Sequence, residues 1–344
     1  MTSIQLNDGH RIGNGCAPYF VAELNTSHFG KPDIARDMID QARQAGCHCV
    51  KFQSWTTDTL YSQSYYAENP IAKRFVKKYQ LEEAELKALA DYCHETGISF
   101  SSTPYSVQEA EFLLQSCAPP FIKVASMELN NIEFLDQLGR MNSALIVSTG
   151  MGDMAEIDRA VDVLGNAGAY QICLLHCVSL YPTPAELTNL HNIQTLMGRF
   201  PEVVVGYSDH SLGTEIPAAA VALGAVLIEK HFTLDNTKIG MDNQMATNPD
   251  TFNTMVQHCN NVYKALGNRE RVLSQDELDQ RANMRRSVVA ARDLTSGTVL
   301  QADDIVLKRP GTGFPADAVY SVLGRKLQVD VVADHLILEE HLEV

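Results

Sequence analysis

The sequence predicts an α/β fold, an eight-unit (β/α)8 TIM barrel followed by a small β-rich domain, and three observations carry that expectation. Eight short β-rich runs alternate with eight helix-like stretches, the order of a closed parallel barrel. Several of the runs are apolar on both faces, as strands covered by helices must be. After residue 268 the alternation stops and short β runs with turn residues take over.

The strands are expected at 19–24, 49–54, 98–104, 121–126, 144–150, 172–178, 203–209 and 226–232. Ala144-Leu-Ile-Val, Ile172-Cys-Leu-Leu and Val203-Val-Val-Gly are the most continuously apolar of them. Helices are expected at 32–45, 81–96, 107–115, 133–140, 154–164, 187–197, 215–223 and 249–266. Gly46, Gly97, Gly165 and Gly224 stand near helix ends, where a left-handed cap favours glycine. Gly150-Met-Gly152-Asp-Met-Ala155 has the form of a dinucleotide fingerprint. It follows the fifth strand instead of the first, so it reads as a tight strand-to-helix turn at the barrel mouth. The second connection, 55–80, is long enough to act as a cover or a subunit contact. The domains are thus a catalytic barrel over 1–268, with 1–18 as an N-terminal β extension, a charged helical linker over 269–286, and a β-rich domain over 287–344. The last is short for an independent core and is expected to dock on something.

Composition narrows the function. The chain has 27 Lys and Arg against 42 Asp and Glu, a formal charge of −15, and no basic run to neutralise phosphates, which argues against a nucleic-acid partner. No apolar stretch is long enough to span a bilayer, and the start lacks a secretory pattern. None of the eight cysteines forms a C-x-x-C pair and most sit in apolar runs, so a reduced, cytoplasmic protein is expected.

Chemistry in such a barrel belongs at the C-terminal strand ends. These carry Glu23; Lys51 and Gln53; Ser102 and Thr103; Lys123, Ser126 and Glu128; Ser148; His176, Ser179 and Tyr181; Asp209 and His210; and Glu229, Lys230 and His231. Lys51, Lys123 and Lys230 would place three ammonium groups around one rim of an acidic protein, where burial costs several kcal/mol unless an anion faces them. With the nearby hydroxyls they suit a small phosphorylated or carboxylated substrate. His231, two residues beyond Glu229 on the same strand face, is a candidate for the metal or the substrate.

Taken in order, these motifs resemble the sialic acid synthase family, the phosphoenolpyruvate-dependent nonulosonate synthases. The matching segments are Phe20-Val-Ala-Glu23, Val50-Lys51-Phe-Gln53, Ser102-Thr103-Pro104, Ile122-Lys123-Val-Ala-Ser126-Met-Glu128, Leu174-Leu-His176-Cys-Val-Ser179-Leu-Tyr181-Pro, Ser208-Asp209-His210 and Ile228-Glu229-Lys230-His231-Phe. The tail, with Lys308-Arg309-Pro310-Gly311-Thr312-Gly313, is similar to the antifreeze-like (SAF) domain that follows the barrel in that family. The resemblance implies condensation of phosphoenolpyruvate with the aldehyde of an open-chain N-acyl amino hexose, with a divalent metal, Mn²⁺ or Mg²⁺, polarising the aldehyde. It implies catalytic roles for Glu23, Lys51, Glu128 and His231. It implies substrate contacts from Gln53, Ser102, Thr103, Lys123, Ser126, Ser148, Ser179, Tyr181, Asp209 and Asp242. Arg309 resembles an arginine that enters the barrel mouth of a partner in a domain-swapped homodimer.

The sequence also departs from the family pattern. Met127 stands where many members have glycine, Ser179 where neuraminate synthases have asparagine, and Asn243 in the place of a second metal histidine. Metal ligation by His231 and Asn243 is therefore expected, along with an acceptor other than the neuraminate precursor. Two further readings fit the residues: a Schiff-base pyruvate aldolase using Lys123 or Lys230, and a degenerate paralogue that binds carbohydrate without turning it over.

Overall fold

The structure, a computed structural model, describes residues 2–343. Within them the chain forms two compact units, one running up to Gly267 and the other starting at Asn268.

The first unit is a nearly closed barrel of eight parallel strands: β3 (Tyr19–Glu23), β4 (Cys49–Gln53), β5 (Ser99–Thr103), β6 (Ile122–Val124), β7 (Leu145–Ser148), β8 (Ile172–Cys177), β9 (Val204–Asp209) and β10 (Leu227–His231). The ladder runs from β5 through β4, β3, β10, β9, β8 and β7 to β6. At the seam Ser101 Oγ donates to the Phe121 carbonyl at 2.8 Å. Because side chains alternate across a strand, each strand feeds two cores. Phe20, Ala22, Val50, Phe52, Phe100, Val205, Tyr207 and Ile228 face the helices, while Val21, Cys49, Phe121, Ile146, Cys173, Leu175, Val204 and Leu227 fill the barrel. The inward position between Val204 and Ser208 is a glycine, Gly206, because a Cβ there would come within 2.6 Å of Leu175 and 2.7 Å of the Leu227 carbonyl.

An antiparallel hairpin precedes the barrel, β1 (Ser3–Gln5) against β2 (Arg11–Gly13). Its Ile4 and Ile12, with Leu6, join the inner apolar core, so it stoppers the end of the barrel where the strands begin. Beside it His48 stacks on Tyr19, with ring centroids 4.9 Å apart, and its Nδ1 accepts from the Phe20 amide at 3.0 Å.

The long second connection folds into two short helices, α2 (Gln63–Glu68) and α3 (Pro70–Tyr79). Ser62 caps the first through its hydroxyl, and Pro70 opens the second, where its missing N–H costs nothing. Trp55, Tyr66, Val76 and Tyr79 give this insert its own small core.

In the second unit α11 (Gln275–Met284) precedes an antiparallel pair, β11 (Ser287–Ala290) with β12 (Ile305–Lys308). Val288, Ala290, Leu300, Leu327 and Ile337 are fully or almost fully buried in a core of the unit's own. Expected to be too short to bury much core by itself, this tail does bury one, and single β-bridges such as Val299 with Lys326 and Leu294 with Val331 tie its loops over that centre. No helix among the described residues is long and apolar enough to cross a membrane.

Candidate active site

The inward-facing residues nearest the C-terminal strand ends line a hollow of about 360 Å³ in the barrel mouth. Its floor holds two lysines and two glutamates. Lys51 Nζ is paired with Glu23 and lies 3.7 Å from Glu229, and Lys123 Nζ lies 3.9 Å from the same Glu229 oxygen. Exposures of 3% for Lys51, 2% for Lys123, 2% for Glu23 and 6% for Glu229 make this a desolvated set. Lys51 also donates to Thr103 Oγ1 at 3.1 Å, and Lys123 to Ser148 Oγ at 2.6 Å and the Val124 carbonyl at 2.9 Å.

Burial pushes the Glu23 carboxyl up, against the pull of Lys51. Burial also works to raise Glu229, but Lys123 and Lys51 outweigh it and hold this carboxyl below its ordinary value. Lys123 is pushed down by burial, whereas Glu229 and Glu23 overcome burial at Lys51 and raise it. Four buried charges are costly unless mutually satisfied, and Glu229 Oε2 has no hydrogen-bond partner. The ammonium groups of Lys51 and Lys123 are the floor's preorganised donors for an anion in this low-dielectric cup, while Glu229 Oε2 is an acceptor without a donor.

One wall is built by a fixed amide. Gln53 Oε1 accepts from Trp55 Nε1 at 2.8 Å and from the Tyr105 hydroxyl at 3.2 Å, which turns its Nε2 to donate to Glu23 Oε1 at 3.1 Å. On the opposite wall, Ser126 Oγ accepts from the Gly150 amide at 3.1 Å. A Cβ at Gly150 would meet Ser179 Oγ at 2.4 Å and Ser126 Oγ at 2.8 Å, so the glycine is there to admit these hydroxyls. The helix that follows, α7 (Met154–Ala167), is closed by a reciprocal Asp153–Glu156 capping box, so its first N–H groups face carboxylates and not a nucleotide.

Two imidazoles stand side by side at the mouth. His210 and His231 have ring centroids 5.4 Å apart, and Tyr181 packs against both. His210 Nδ1 meets the Val178 carbonyl at 2.8 Å, which leaves Nε2 for other partners. Burial holds His231 well below its usual range, so the ring is neutral, the state in which imidazole ligates a metal. Burial opposes ionisation of Cys177 and His210 as well, yet their mutual attraction wins, lowering the thiol and raising the imidazole. Asp242, paired with Asn25, completes this side of the wall. No group of three or more His, Cys, Asp or Glu side chains among the described residues is assembled around a metal position. His231 and its neighbour His210 are the imidazoles that could ligate a divalent cation, His210 after losing the proton that Cys177 favours, with remaining positions open to water or substrate oxygens.

The hollow brings together Glu23, Lys51, Gln53, Thr103, Lys123, Ser126, Ser148, Ser179, Tyr181, His231 and Asp242. Five expected residues lie elsewhere. Ser102 faces the helices and pairs with Ser54 Oγ at 2.5 Å. Asp209 also faces outward, fully buried, accepting from the Tyr207 hydroxyl and from the Ser211 amide and hydroxyl and pairing with Lys230. The ring of three lysines is accordingly a pair. Asn243 is corrected as a metal ligand: it is fully buried in its loop, where Oδ1 accepts from Thr233 Oγ1 at 2.5 Å and Nδ2 donates to the Asp235 and Lys238 carbonyls at 2.8 Å each. Glu128 sits at the rim, half-buried, with Oε2 accepting from Asn131 at 2.8 Å, and is not part of the lining. Arg309 is exposed on the second unit. Conversely, Asn25, Tyr105, Cys177, Ser208, His210 and Glu229 line the hollow beyond the expected set. Strand parity was the signal for Ser208, His210 and Glu229, and carried two residues past Thr103 it reaches Tyr105 as well.

Comparison with known proteins agrees with this geometry. Residues 38–271 match the model of the NeuB family, and residues 285–343 that of the SAF domain. The chain is 33% identical to the N,N'-diacetyllegionaminic acid synthase of Legionella pneumophila, over 96% of each chain. It is 32% identical to the N-acetylneuraminate-9-phosphate synthase of Drosophila melanogaster, over 93% of this chain and 94% of that one. Among solved structures it is similar to the N-acetylneuraminic acid (sialic acid) synthetase of Leptospira borgpetersenii, with a TM-score of 0.75 and 32% identity over 81% of this chain and 95% of that one.

Proposed function

The chain belongs to the NeuB family, and from that membership we propose that it joins phosphoenolpyruvate to an open-chain N-acyl amino hexose, giving a nine-carbon 2-keto-3-deoxy sugar acid and phosphate. The observation that carries this reading is the buried Lys51–Glu229–Lys123 arrangement at the base of a hydroxyl-lined cup. Lys51 and Lys123, with Thr103 and Ser148 already in hydrogen-bond contact, hold the carboxylate and phosphate of enolpyruvate and exclude bulk water. This points the methylene carbon towards the mouth. There Asp242, Tyr181 and the Gln53 wall orient the acceptor aldehyde.

Carbon–carbon bond formation places the electron pair of the enol C=C on the aldehyde carbon, moves the carbonyl π pair onto its oxygen, which takes up a proton to become a hydroxyl, and leaves positive character at C2. Water adds at C2, and phosphate departs with the C–O bonding pair. Glu23, raised by burial and oriented by Gln53, is the group placed to hold or relay the proton released by that water. His210 and His231 are the residues that would hold a divalent cation, which when bound supplies Lewis-acid polarisation of the carbonyl.

The swapped homodimer remains part of the proposal, supported by an exposed Arg309 on the SAF unit and by exposed Met127, Met151 and Tyr181 around the mouth. A cytoplasmic setting is supported by eight cysteines that are all free thiols. A pyruvate aldolase is the second reading, favoured by the lowered Lys123. One experiment separates them: phosphoenolpyruvate labelled with ¹⁸O in the bridging position, supplied with Mn²⁺ and an amino-hexose acceptor. The label is expected in the released phosphate. Label retained in the sugar acid, or product formed from pyruvate with a borohydride-trapped lysine, overturns the synthase reading.

A further inference from the structure

The loop that carries Arg309 opens and closes on one residue. It leaves β12 at Lys308, which pairs with Ser287 of β11, and it returns at Pro315, which bridges to the same Ser287. Between those points the Ser287 hydroxyl donates to the Pro310 carbonyl at 2.7 Å and accepts from the Gly313 amide at 3.0 Å. Ser287 is fully buried, so this hydroxyl serves the loop and not solvent.

A second clamp comes from α11. The Gly311 amide donates at 2.7 Å to the Ala282 carbonyl, one of the last-turn carbonyls that a helix leaves without an internal partner. A Cβ at Gly311 would come within 2.8 Å of the Arg285 Cβ and 3.1 Å of the Arg281 carbonyl, so the loop lies directly against the helix end. The charged segment expected as a linker thus acts as a strut for this loop. We infer that Ser287 is a positioning residue for Arg309: it fixes, before any partner docks, the backbone from which that guanidinium is presented to the acceptor site of a second subunit. The inference rests on the swapped-homodimer reading and adds to it a residue that never touches substrate.

The state of the Arg309 side chain supports this assignment. Its neighbour Lys308 is tied to Asp334, and Arg292 and Arg325 are tied to Asp304 and Glu339. Among the described residues Arg309 has neither an ion pair nor a side-chain hydrogen bond, and it is exposed. An unspent guanidinium on a clamped backbone is preorganised, because its loop need not be ordered when it meets a ligand oxygen. A clamp that served the fold alone would matter equally whether or not Arg309 were present, and that difference can be measured.

The experiment is a double-variant cycle on the full-length protein with Mn²⁺ and saturating phosphoenolpyruvate. It compares wild type, Ser287→Ala, Arg309→Ala and the two combined. The acceptor is whichever of N-acetylmannosamine and 2,4-diacetamido-2,4,6-trideoxymannose the wild type turns over faster. Arg309→Ala should raise the acceptor KM about thirtyfold, the scale of one lost charge-assisted hydrogen bond. Ser287→Ala should raise it about tenfold and speed amide exchange across 309–313, while the phosphoenolpyruvate Kd, set in the barrel, stays unchanged. In the Arg309→Ala background, Ser287→Ala should add less than about twofold, because nothing is left to position. If Ser287→Ala does not fold, Gly311→Ala takes its place in the cycle: it keeps the hydroxyl, pushes the loop off α11, and should raise KM only when Arg309 is present. An equal effect of the clamp variant in both backgrounds assigns Ser287 to the fold alone and overturns the inference. So does an unchanged KM in the clamp variants beside a raised one in Arg309→Ala, and both results leave the swapped arrangement standing. An unchanged KM in Arg309→Ala overturns the swapped arrangement and the inference with it. Turnover of neither acceptor by the wild type overturns the synthase reading as well.

Discussion

Lys230 and Asp209 form an ion pair, with side-chain exposures of 2% and 0%, on the helix-facing side of the barrel wall, one residue out of phase with the Glu229 that faces the hollow. Lys230 also donates to the Ser211 carbonyl at 2.6 Å, so its ammonium helps hold the turn after β9. Its role is structural.

Removing one member of that pair strands the other charge in an apolar layer. Lys230→Met is expected to lower stability by about 3–5 kcal/mol, and the double variant with Asp209→Leu to recover part of it, because Tyr207 and Ser211 lose their shared acceptor in that variant. Urea denaturation of the three proteins checks this. Equal losses in the single and double variants would contradict a coupled pair.

The two imidazoles make a separate prediction. Replacing His210 or His231 by Asn should weaken Mn²⁺ binding at least about tenfold, by analogy with losses around other metal sites, as read by paramagnetic resonance of the free ion. Asn243→Ala should leave Mn²⁺ affinity intact and cost about 1–3 kcal/mol of stability, because the Thr233 hydroxyl and two carbonyls lose a buried partner. Loss of Mn²⁺ binding in Asn243→Ala at unchanged Tm would restore Asn243 as a ligand.

The floor should bind enolpyruvate without any acceptor. In Lys123→Met, phosphoenolpyruvate affinity is expected to drop about 100-fold, since a charge-assisted contact is lost and Glu229 loses one of its two cationic neighbours. Calorimetry on wild type and variant measures it, and an unchanged Kd would remove Lys123 from the anion site.

The closed end of the barrel carries a pH dependence. Burial, aided by the charge of His10 and only partly offset by Asp8, pushes His48 from its ordinary 6.5 down to about 4. Tyr19 and Phe20 stack on the same ring. Above pH 6.5 both folded and unfolded chains hold it neutral, so its contribution is complete. As pH falls from 6.5 towards 4, the unfolded chain takes up a proton that the folded one resists, and stability declines by up to about 3 kcal/mol. His48→Asn, which keeps an acceptor for the Phe20 amide, should flatten the stability profile between pH 7 and 4.5 in chemical denaturation. An equally steep profile in the variant would assign the loss to other groups.

The alternation of β runs and helices, and the chemistry at the strand ends, were legible in the sequence because a barrel strand is short, apolar and followed by its polar cargo. The errors share one physical origin. Ser102, Asp209 and Lys230 occur at strand ends, but each is displaced by one residue from an inward neighbour: Ser102 from Thr103, Asp209 from Ser208, Lys230 from Glu229 and His231. A list of strand-end residues ignores which face each one takes, and the period of two decides it. Asn243 was misjudged for another reason. Its loop has no periodicity, and only tertiary contacts reveal that its amide is consumed by Thr233 and two carbonyls. The insert helices α2 and α3 were missed for different reasons: α2 has only six residues, and α3, although amphipathic over ten, lies in a connection read only as a cover or a subunit contact, even though Ser62 and Pro70 marked their starts.

The hairpin that packs Ile4 and Ile12 beneath the strands makes the cylinder a blind well with one doorway. Reactants and products must pass through it in turn, and the deepest seat fills first. A ligand on Lys51 and Lys123 has to arrive before the sugar that roofs it, so initial-rate plots should show a compulsory sequence, with free acceptor slowing the enzyme by blocking the queue.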